Sequence, residues 1–599
     1  MHRRQFLAGT GTAAIAFSFA GTALAETTAS TRLASAMDAI FMRDMQMSPM
    51  AMTDLGIDTG QGAWARHRLD GFGRAAVDAH ISHAETMLAD VRAIPADGLS
   101  VQEHIRQQVV EHMLEQRLNG REFGMQGAGS PYVMSHMGAI YSYVPSFLDT
   151  KHPVQTVEDA EAYLDRLTAL GEAVDQESAL QREQAAKGYA APAWSLEIAK
   201  RGIDAIAGAD AAQTRLVGSL VQRAEANGLS GDWTARATTI VQNIVQPAFA
   251  RQSAMLADII PAAAAGDGIW RVPQGDEIYR RGLAHYTTTS MTADEIHKVG
   301  LDQVAELTAE LDMLLAKEGL TSGSVGERLT ALNERPDQIY PDTPEGHAAL
   351  IGSLNEGTKA MWAKLPQAFA RVPTQPMEIY AVPAEIEDSA AMGYYESASL
   401  DGSRPARYYI NLKNPADWPK YTLPALTYHE GVPGHHLQGS LVQEAGNTPL
   451  LLKNYWMSSY GEGWALYAEQ VADELGGYEG VEKLGALQSW LFRAARLVVD
   501  TGLHSKQWSV DKATQYFIDA VGYTPGASRA EIQRYCIWPG QACSYKIGQN
   551  KWRELRSRAE TKLGSAFDLR QFHTILDEGT MPLSLLEQRI DVWIESQMA

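Results

Sequence analysis

The side chains best suited to chemistry stand in one short run, His429-Glu430-Gly431-Val432-Pro433-Gly434-His435-His436. A further carboxylate, Glu462, follows in Gly461-Glu462-Gly463-Trp464-Ala465. Tetrahedral zinc takes imidazole nitrogens and a carboxylate oxygen at about 2.0–2.2 Å and keeps one position for water. In the common H-E-x-x-H pattern two histidines lie four apart on one helical face, and the Glu after the first is the general base. The run therefore predicts a zinc hydrolase centre with Glu430 as base.

The spacing departs from that pattern. His435 is six residues after His429, and His436 is seven. On a straight helix these positions rise about 9 and 10.5 Å along the axis, and the sixth also points about 120° away. Two nitrogens on one zinc are only about 3–4 Å apart. Pro433 lacks an N–H and clashes with the preceding turn, and Gly431 and Gly434 tolerate unusual dihedrals. A two-residue bulge at Val432-Pro433 is thus expected to bring His435 to the place of the fourth residue. His435 is the favoured ligand beside His429, with His436 as a neighbouring or substrate-facing group. The rival assignment gives the metal to His436. Glu462 is the third ligand candidate. Glu469, seven residues on and on the same helical face, competes with it or hydrogen-bonds a ligating histidine.

A second stretch of interest is Ser528 to Lys546. Ser528 with Glu531 three residues on reads as a capping box, which makes Glu531 structural. Pro539-Gly540 implies a kink in one long helix. Tyr535 is the candidate donor to a tetrahedral oxyanion, against the alternative of a buried core tyrosine. His504, Arg534 and Arg404 are candidates for binding a substrate carboxylate, and equally for internal ion pairs. Cys536 and Cys543, the two cysteines of the chain, would lie about 10 Å apart on one helix, beyond disulfide reach.

Elements that could position these groups are mostly helical. Apolar periodicity predicts helices at 75–94, 101–118, 156–187, 194–206, 209–227, 231–263, 292–317, 325–334 and 345–372. Further helices are expected at 422–443, 455–475, 479–504, 509–521, 528–559 and 569–576. Residues 26–60 read as a short helix and loop, and 120–150, rich in Gly, Tyr and Ser, as loop. Strands are expected only in 374–412, at 377–382, 393–396 and 407–412, with Asp401-Gly402-Ser403 as a hairpin turn. The last strand is expected to offer an edge on which a peptide could add. No repeat or low-complexity linker divides the chain. The expectation is one mostly α unit, 26–599, with a small sheet inserted before the metal run.

The chain has 599 residues, 45% of them hydrophobic, and a formal charge of −21. That balance argues against nucleic acid or an anionic membrane surface as a partner. Arg3-Arg4-Gln5-Phe6-Leu7, an apolar run and Ala23-Leu24-Ala25 read as a twin-arginine signal peptide over 1–25. Its apolar run is shorter than the ~20 residues of a membrane span. Without it the charge is −23, since the segment carries only Arg3 and Arg4. The expected location is periplasmic or secreted, with no membrane attachment after cleavage.

Together these motifs resemble the bacterial family named domain of unknown function 885, a gluzincin-like group. The resemblance rests on HEGVPGHHLQ from His429 to Gln438, EGWALYAE from Glu462 to Glu469, and Asp401 to Pro405. It also rests on Asp500-Thr501-Gly502-Leu503-His504, on RYCIWPGQACSYKIG from Arg534 to Gly548, and on the tail from Phe572-His573 through Leu583. It implies a two-lobed helical fold with a deep cleft, similar to carboxypeptidase Taq, neurolysin and angiotensin-converting enzyme. It also implies His429, His435 and Glu462 as zinc ligands, Glu430 as base, and Arg534-Tyr535 at the position of an oxyanion-stabilising tyrosine. The implied function is a zinc-dependent peptidase acting on oligopeptides, with carboxypeptidase action as one form. The alternatives are hydrolysis of a non-peptide amide or ester, and a peptide-binding protein with a degenerate site.

Overall fold

A computed structural model describes residues 28–598 apart from 126, 383–386 and 388–391. The signal-peptide segment 1–25 lies outside the described residues. The fold is mostly α, with one small inserted sheet. Helix starts follow local chemistry. Ser100 with Glu103, Thr156 with Asp159, Thr292 with Glu295 and Ser324 with Glu327 each form a complete capping box, which satisfies otherwise orphaned N–H groups of the first turn. Among the described residues no helix is long and apolar enough to cross a membrane.

Several segments differ from the sequence expectation. Ala29–Met47 is a full helix. Ile140–Thr150 is a helix despite Pro145, burying Ile140, Val144, Phe147 and Leu148 on one side. Gly275–Thr287, in a stretch with no expected element, is another. Two of the expected late helices are each interrupted. The region 422–443 splits into Leu423–Glu430 and His435–Glu444, and 528–559 splits into Pro525–Ile537 and Ser544–Leu563. Cys536 and Cys543 therefore flank a break rather than share a helix; both are free and buried.

The second break shows why. Pro539 cannot continue the ladder, and Gly540 takes φ +92°, a conformation that side chains resist. The Gly540 N–H donates to the Asp500 carboxylate, and His504 Nε2 donates to the carbonyl of Tyr535. Asp500 and His504, both from the Glu482–His504 helix, thus hold either side of the turn.

Strands β1 (Met377–Ala381), β2 (Gly393–Glu396) and β3 (Ala406–Ile410) form a sheet in the order β1-β3-β2. β1 runs parallel to β3, with Ile379 opposite Tyr408, and β2 runs antiparallel, with Tyr394 opposite Tyr409. β3 is therefore central and has no free edge; among the described residues the free edges belong to β1 and β2. Gly402, at φ +72°, turns the chain between β2 and β3, and Asp401 accepts from the N–H of Ser403.

Three apolar cores surround the region of the metal run. The largest joins the N-terminal helices to Trp464 and Trp552. A second lies between the Glu482–His504 and Val510–Val521 helices. The third packs the sheet on Leu350, Leu354 and Leu423. Gly463 and Gly548 let the Ser458–Glu474 helix lie directly on Ser544–Leu563. A Cβ on Gly548 would sit 2.0 Å from the carbonyl of Ser459, so a side chain there would force the helices apart.

Candidate metal centre

The first helix of the metal run ends as it delivers its functional groups. His429 and Glu430 occupy the last turn of Leu423–Glu430, and the N–H of Gly431 still donates to Thr427. The chain then folds back through Gly431–Gly434, with a cis Val432–Pro433 peptide, and a new helix starts at His435. The expected bulge within a continuous helix is in fact a stop and a restart. Gly434 is forced by close approach, since a Cβ there would lie 1.9 Å from the carbonyl of His429. The indole N–H of Trp464 donates to the carbonyl of Pro433 at 3.1 Å. That bond ties the loop to the Ser458–Glu474 helix, which carries Glu462 and Glu469.

This route brings His429, His435 and Glu462 together, with one ligand atom of each within 4.8 Å of the others. Glu462 Oε2 is 3.2 Å from His435 Nε2 and 3.4 Å from His429 Nε2. Donors on a tetrahedral ion at about 2.1 Å are spaced by about 3.4 Å. The second nitrogen of His429, Nδ1, lies 2.9 Å from Glu469 Oε1. With its proton on Nδ1, the His429 ring aims its Nε2 lone pair at the Glu462 carboxylate. Two lone pairs facing each other in a buried site repel, so a proton or a cation belongs between them. The residues thus fit a zinc-type ion, and the carboxylate behind His429 is the usual support for such a ligand. His435 Nδ1 is buried without a hydrogen-bond partner among the described residues.

Charge is finely balanced here. Burial opposes the charge of Glu462, but the two imidazoles outweigh it and hold the carboxyl well below its usual range. Burial likewise opposes charge on His429, yet hydrogen bonds to Glu462 and Glu469 push it up to about 8. Glu430, also buried, is raised by burial, with both histidines pulling the other way. A carboxyl raised towards neutrality suits proton transfer.

His436 turns away from this cluster. Its Nε2 donates to the carbonyl of Gln375 at 3.0 Å and its Nδ1 accepts from the Tyr395 hydroxyl at 3.2 Å. Burial pushes it down to about 4, so it is a neutral strut between the helix and the sheet side.

The cluster opens on a cavity of about 640 Å³. Glu430, Trp418, Phe492, Leu452 and Trp456 are on its wall, so all three cores contribute. Met392, Gly393, Tyr394 and Tyr395, at and beside β2, form one side. Arg534 lines the cavity, its guanidinium donating to Glu531 and Gln541. Tyr535 does not reach that wall; its hydroxyl donates to Glu531 Oε2 at 2.7 Å and accepts from Arg496 Nε at 2.8 Å. Tyr545 does reach it, stacked near-parallel to His429 with ring centroids 6.3 Å apart. The helix phase is lost across Pro539-Gly540, so sequence spacing alone could not separate these two tyrosines.

Glu531 is not part of a capping box. Thr524 caps this helix, and Glu531 lies a turn further in, shared by Arg496, Arg534 and Tyr535. Burial opposes its charge, but Arg534 and Arg496 outweigh that and hold it at about 2. His504 is fully buried, accepting from the N–H of Ile269 and donating to Tyr535, outside the cavity. Arg404 pairs with Asp54 near the start of the described chain. Arg493, which no sequence motif marks, is on the cavity wall.

Two solved structures are similar over almost their full length. A candidate lipoprotein from Colwellia psychrerythraea matches with a TM-score of 0.91 at 29% identity, over 95% of this chain and 100% of that one. A candidate lipoprotein of unknown function from Shewanella oneidensis matches with a TM-score of 0.69 at 16% identity, over 93% and 99%. The latter likeness is one of fold. No curated protein matches the chain. The family described as bacterial protein of unknown function (DUF885) matches residues 49–590, and the chain belongs to it.

Proposed function

We propose that the protein is a zinc-dependent hydrolase that cleaves oligopeptides. The observation that carries the reading is the convergence of His429, His435 and Glu462 on one point of a cavity wall that also bears Glu430. A zinc ion held there would polarise a scissile carbonyl and lower the pKa of water. Glu430 takes the proton from the attacking water and returns it to the leaving amine. Burial raises its carboxyl above the usual range, a direction that supports both halves of that exchange. Tyr545 is the group placed to donate to the developing oxyanion. Among the described residues its hydroxyl has only a long contact, 3.4 Å, with the Gln541 amide donor, so its proton is available for a substrate oxygen.

The peptide lies along β2. That strand is at the edge of the sheet and its residues face the cavity, which suits main-chain pairing with an extended substrate. The cavity volume matches a short peptide better than a folded protein. Export is supported by the twin-arginine pattern and by the two similar structures being candidate lipoproteins. The substrates are then peptides of the periplasm or the surroundings. The test is hydrolysis of a peptide library by zinc-loaded protein, with chelator and with Glu430→Gln as controls. Cleavage abolished by both is expected. Cleavage untouched by Glu430→Gln, or none in a zinc-loaded sample, sinks the proposal.

A further inference from the structure

Arg493 stands out among the cavity-lining residues. It belongs to the Glu482–His504 helix, on the wall that also carries Phe492 and Arg496. It is 8% exposed. Arg496 and Arg534 share the Glu531 carboxylate, but among the described residues no carboxylate pairs with Arg493. One of its amino groups donates to the Ser489 hydroxyl and to the carbonyl of Ser489. Its Nε is buried without a hydrogen-bond partner, as is Nη1 of Arg496. A buried guanidinium normally carries a carboxylate or phosphate partner, because its desolvation is costly. Two of the three wall guanidiniums therefore share the Glu531 carboxylate, and among the described residues the third, Arg493, borders the cavity without an ion-pair partner.

The remaining wall does not supply a partner. Asp417, the other lining carboxylate on that side, accepts from the Thr524 hydroxyl and makes no ion pair with Arg493. Glu430 and Glu462 belong to the metal cluster. Arg493 is nonetheless near enough for its charge to act on both His429 and Glu430. A ligand spanning from the metal cluster to Arg493 would lie inside the cavity.

We propose that Arg493 is the specificity residue of the cavity and binds a carboxylate of the substrate through its free guanidinium edge. The fork of two N–H donors fits a carboxylate. The inference rests on the reading of the cavity as a peptide site. It makes the preferred substrates anionic near the cleaved bond, through a chain-terminal carboxylate or an acidic side chain.

Binding can be tested without turnover, using zinc-loaded protein carrying Glu430→Gln. The probes are N-acetyl-Ala-Ala with a free carboxylate, its C-terminal amide, and N-acetyl-Ala-Glu amide, followed by calorimetry. At least one of the two carboxylate probes is expected to bind tenfold or more tightly than the neutral amide. Preference for the first assigns the subsite to chain ends, and preference for the third assigns it to side chains. Adding Arg493→Gln is expected to erase the preference while zinc content and melting temperature hold, and Arg493→Lys is expected to keep part of it. Equal binding of all three probes, or a preference that survives Arg493→Gln, overturns the inference; survival would mean that the metal holds the carboxylate. Arg493-dependent binding with no hydrolysis by the wild type would instead reject the peptidase reading and leave the anion subsite standing.

Discussion

Replacing Glu469 probes the metal cluster from behind, without touching a ligand. Its Oε1 lies 2.9 Å from His429 Nδ1, and Glu469 is sealed from solvent with His429 nearly so. Its Oε2 has no hydrogen-bond partner among the described residues, so the carboxylate is committed to the histidine. In Glu469→Gln the amide oxygen can still accept from Nδ1, which keeps the tautomer and removes the charge. In Glu469→Ala a buried N–H has no acceptor and the ring is free to turn. Loss of such a supporting group lowers metal affinity by about 10- to 100-fold, or about 1.4–2.7 kcal/mol. The glutamine variant should fall near the lower end and the alanine variant near the upper. Zinc affinity is read by competition with a chromophoric chelator at fixed pH and ionic strength. Equal affinity in all three proteins would show that Glu469 does not support a ligand. Failure of the wild type to take up zinc would remove the cluster from consideration as a metal site.

Two further outcomes can be checked by simple means. Glu177 is buried among Ile140 and Gln252, and burial pushes its carboxyl up to about 7 from the usual 4.5. The folded state then holds a proton that the unfolded state releases, so stability falls as pH rises from about 4.5 to 7 and stays low above it, by about 3 kcal/mol in all. Glu177→Gln should melt higher than wild type at pH 8 and converge with it at pH 4.5; a pH-independent difference in melting temperature refutes this. Tyr545→Phe should lower kcat by about 10²-fold with little change in KM, whereas Tyr535→Phe should chiefly lower melting temperature. The reverse pattern in kinetics and melting would return the oxyanion role to Tyr535.

Periodicity revealed most of the helices because their apolar faces are wide and their caps are local. Ser100, Thr156, Thr292 and Ser324 each announce a start within four residues. What escaped depends on distant partners. Ile140–Thr150 contains Pro145 and follows a Gly-rich stretch, yet Val144 and Phe147 have a core to enter. Ser528 and Glu531 match a capping box by spacing, but Thr524-Pro525 starts the helix earlier and two arginines claim Glu531. At the metal run, helix geometry required a shortened path between the histidines, and the glycines and proline marked where. That the helix would end there, rather than bulge, follows from Gly434 lying against His429 and from Trp464 holding Pro433, and the second of these joins positions 31 residues apart. Arg493 was invisible for the same reason: on an amphipathic helix nothing in the sequence separates an arginine with a partner from one without.

The bond from Trp464 to Pro433 has a kinetic consequence. Trp464 is packed among Phe369, Trp552 and His573, two residues after Glu462. The loop that sets His435 and the helix that sets Glu462 are therefore parts of one solid block. A small zinc-finger domain gains its structure when the ion arrives; here the block is held by the packing of Trp464 and its bond to Pro433, contacts that no ion makes. Capture of an ion would order little chain, so its arrival and departure would be timed by passage through the cavity mouth. Stripping the ion should leave the helical content by circular dichroism nearly intact, with melting lowered only by the loss of a ligand that binds the folded state. A ligand plugging the cavity should slow exchange without altering the equilibrium geometry of the donors.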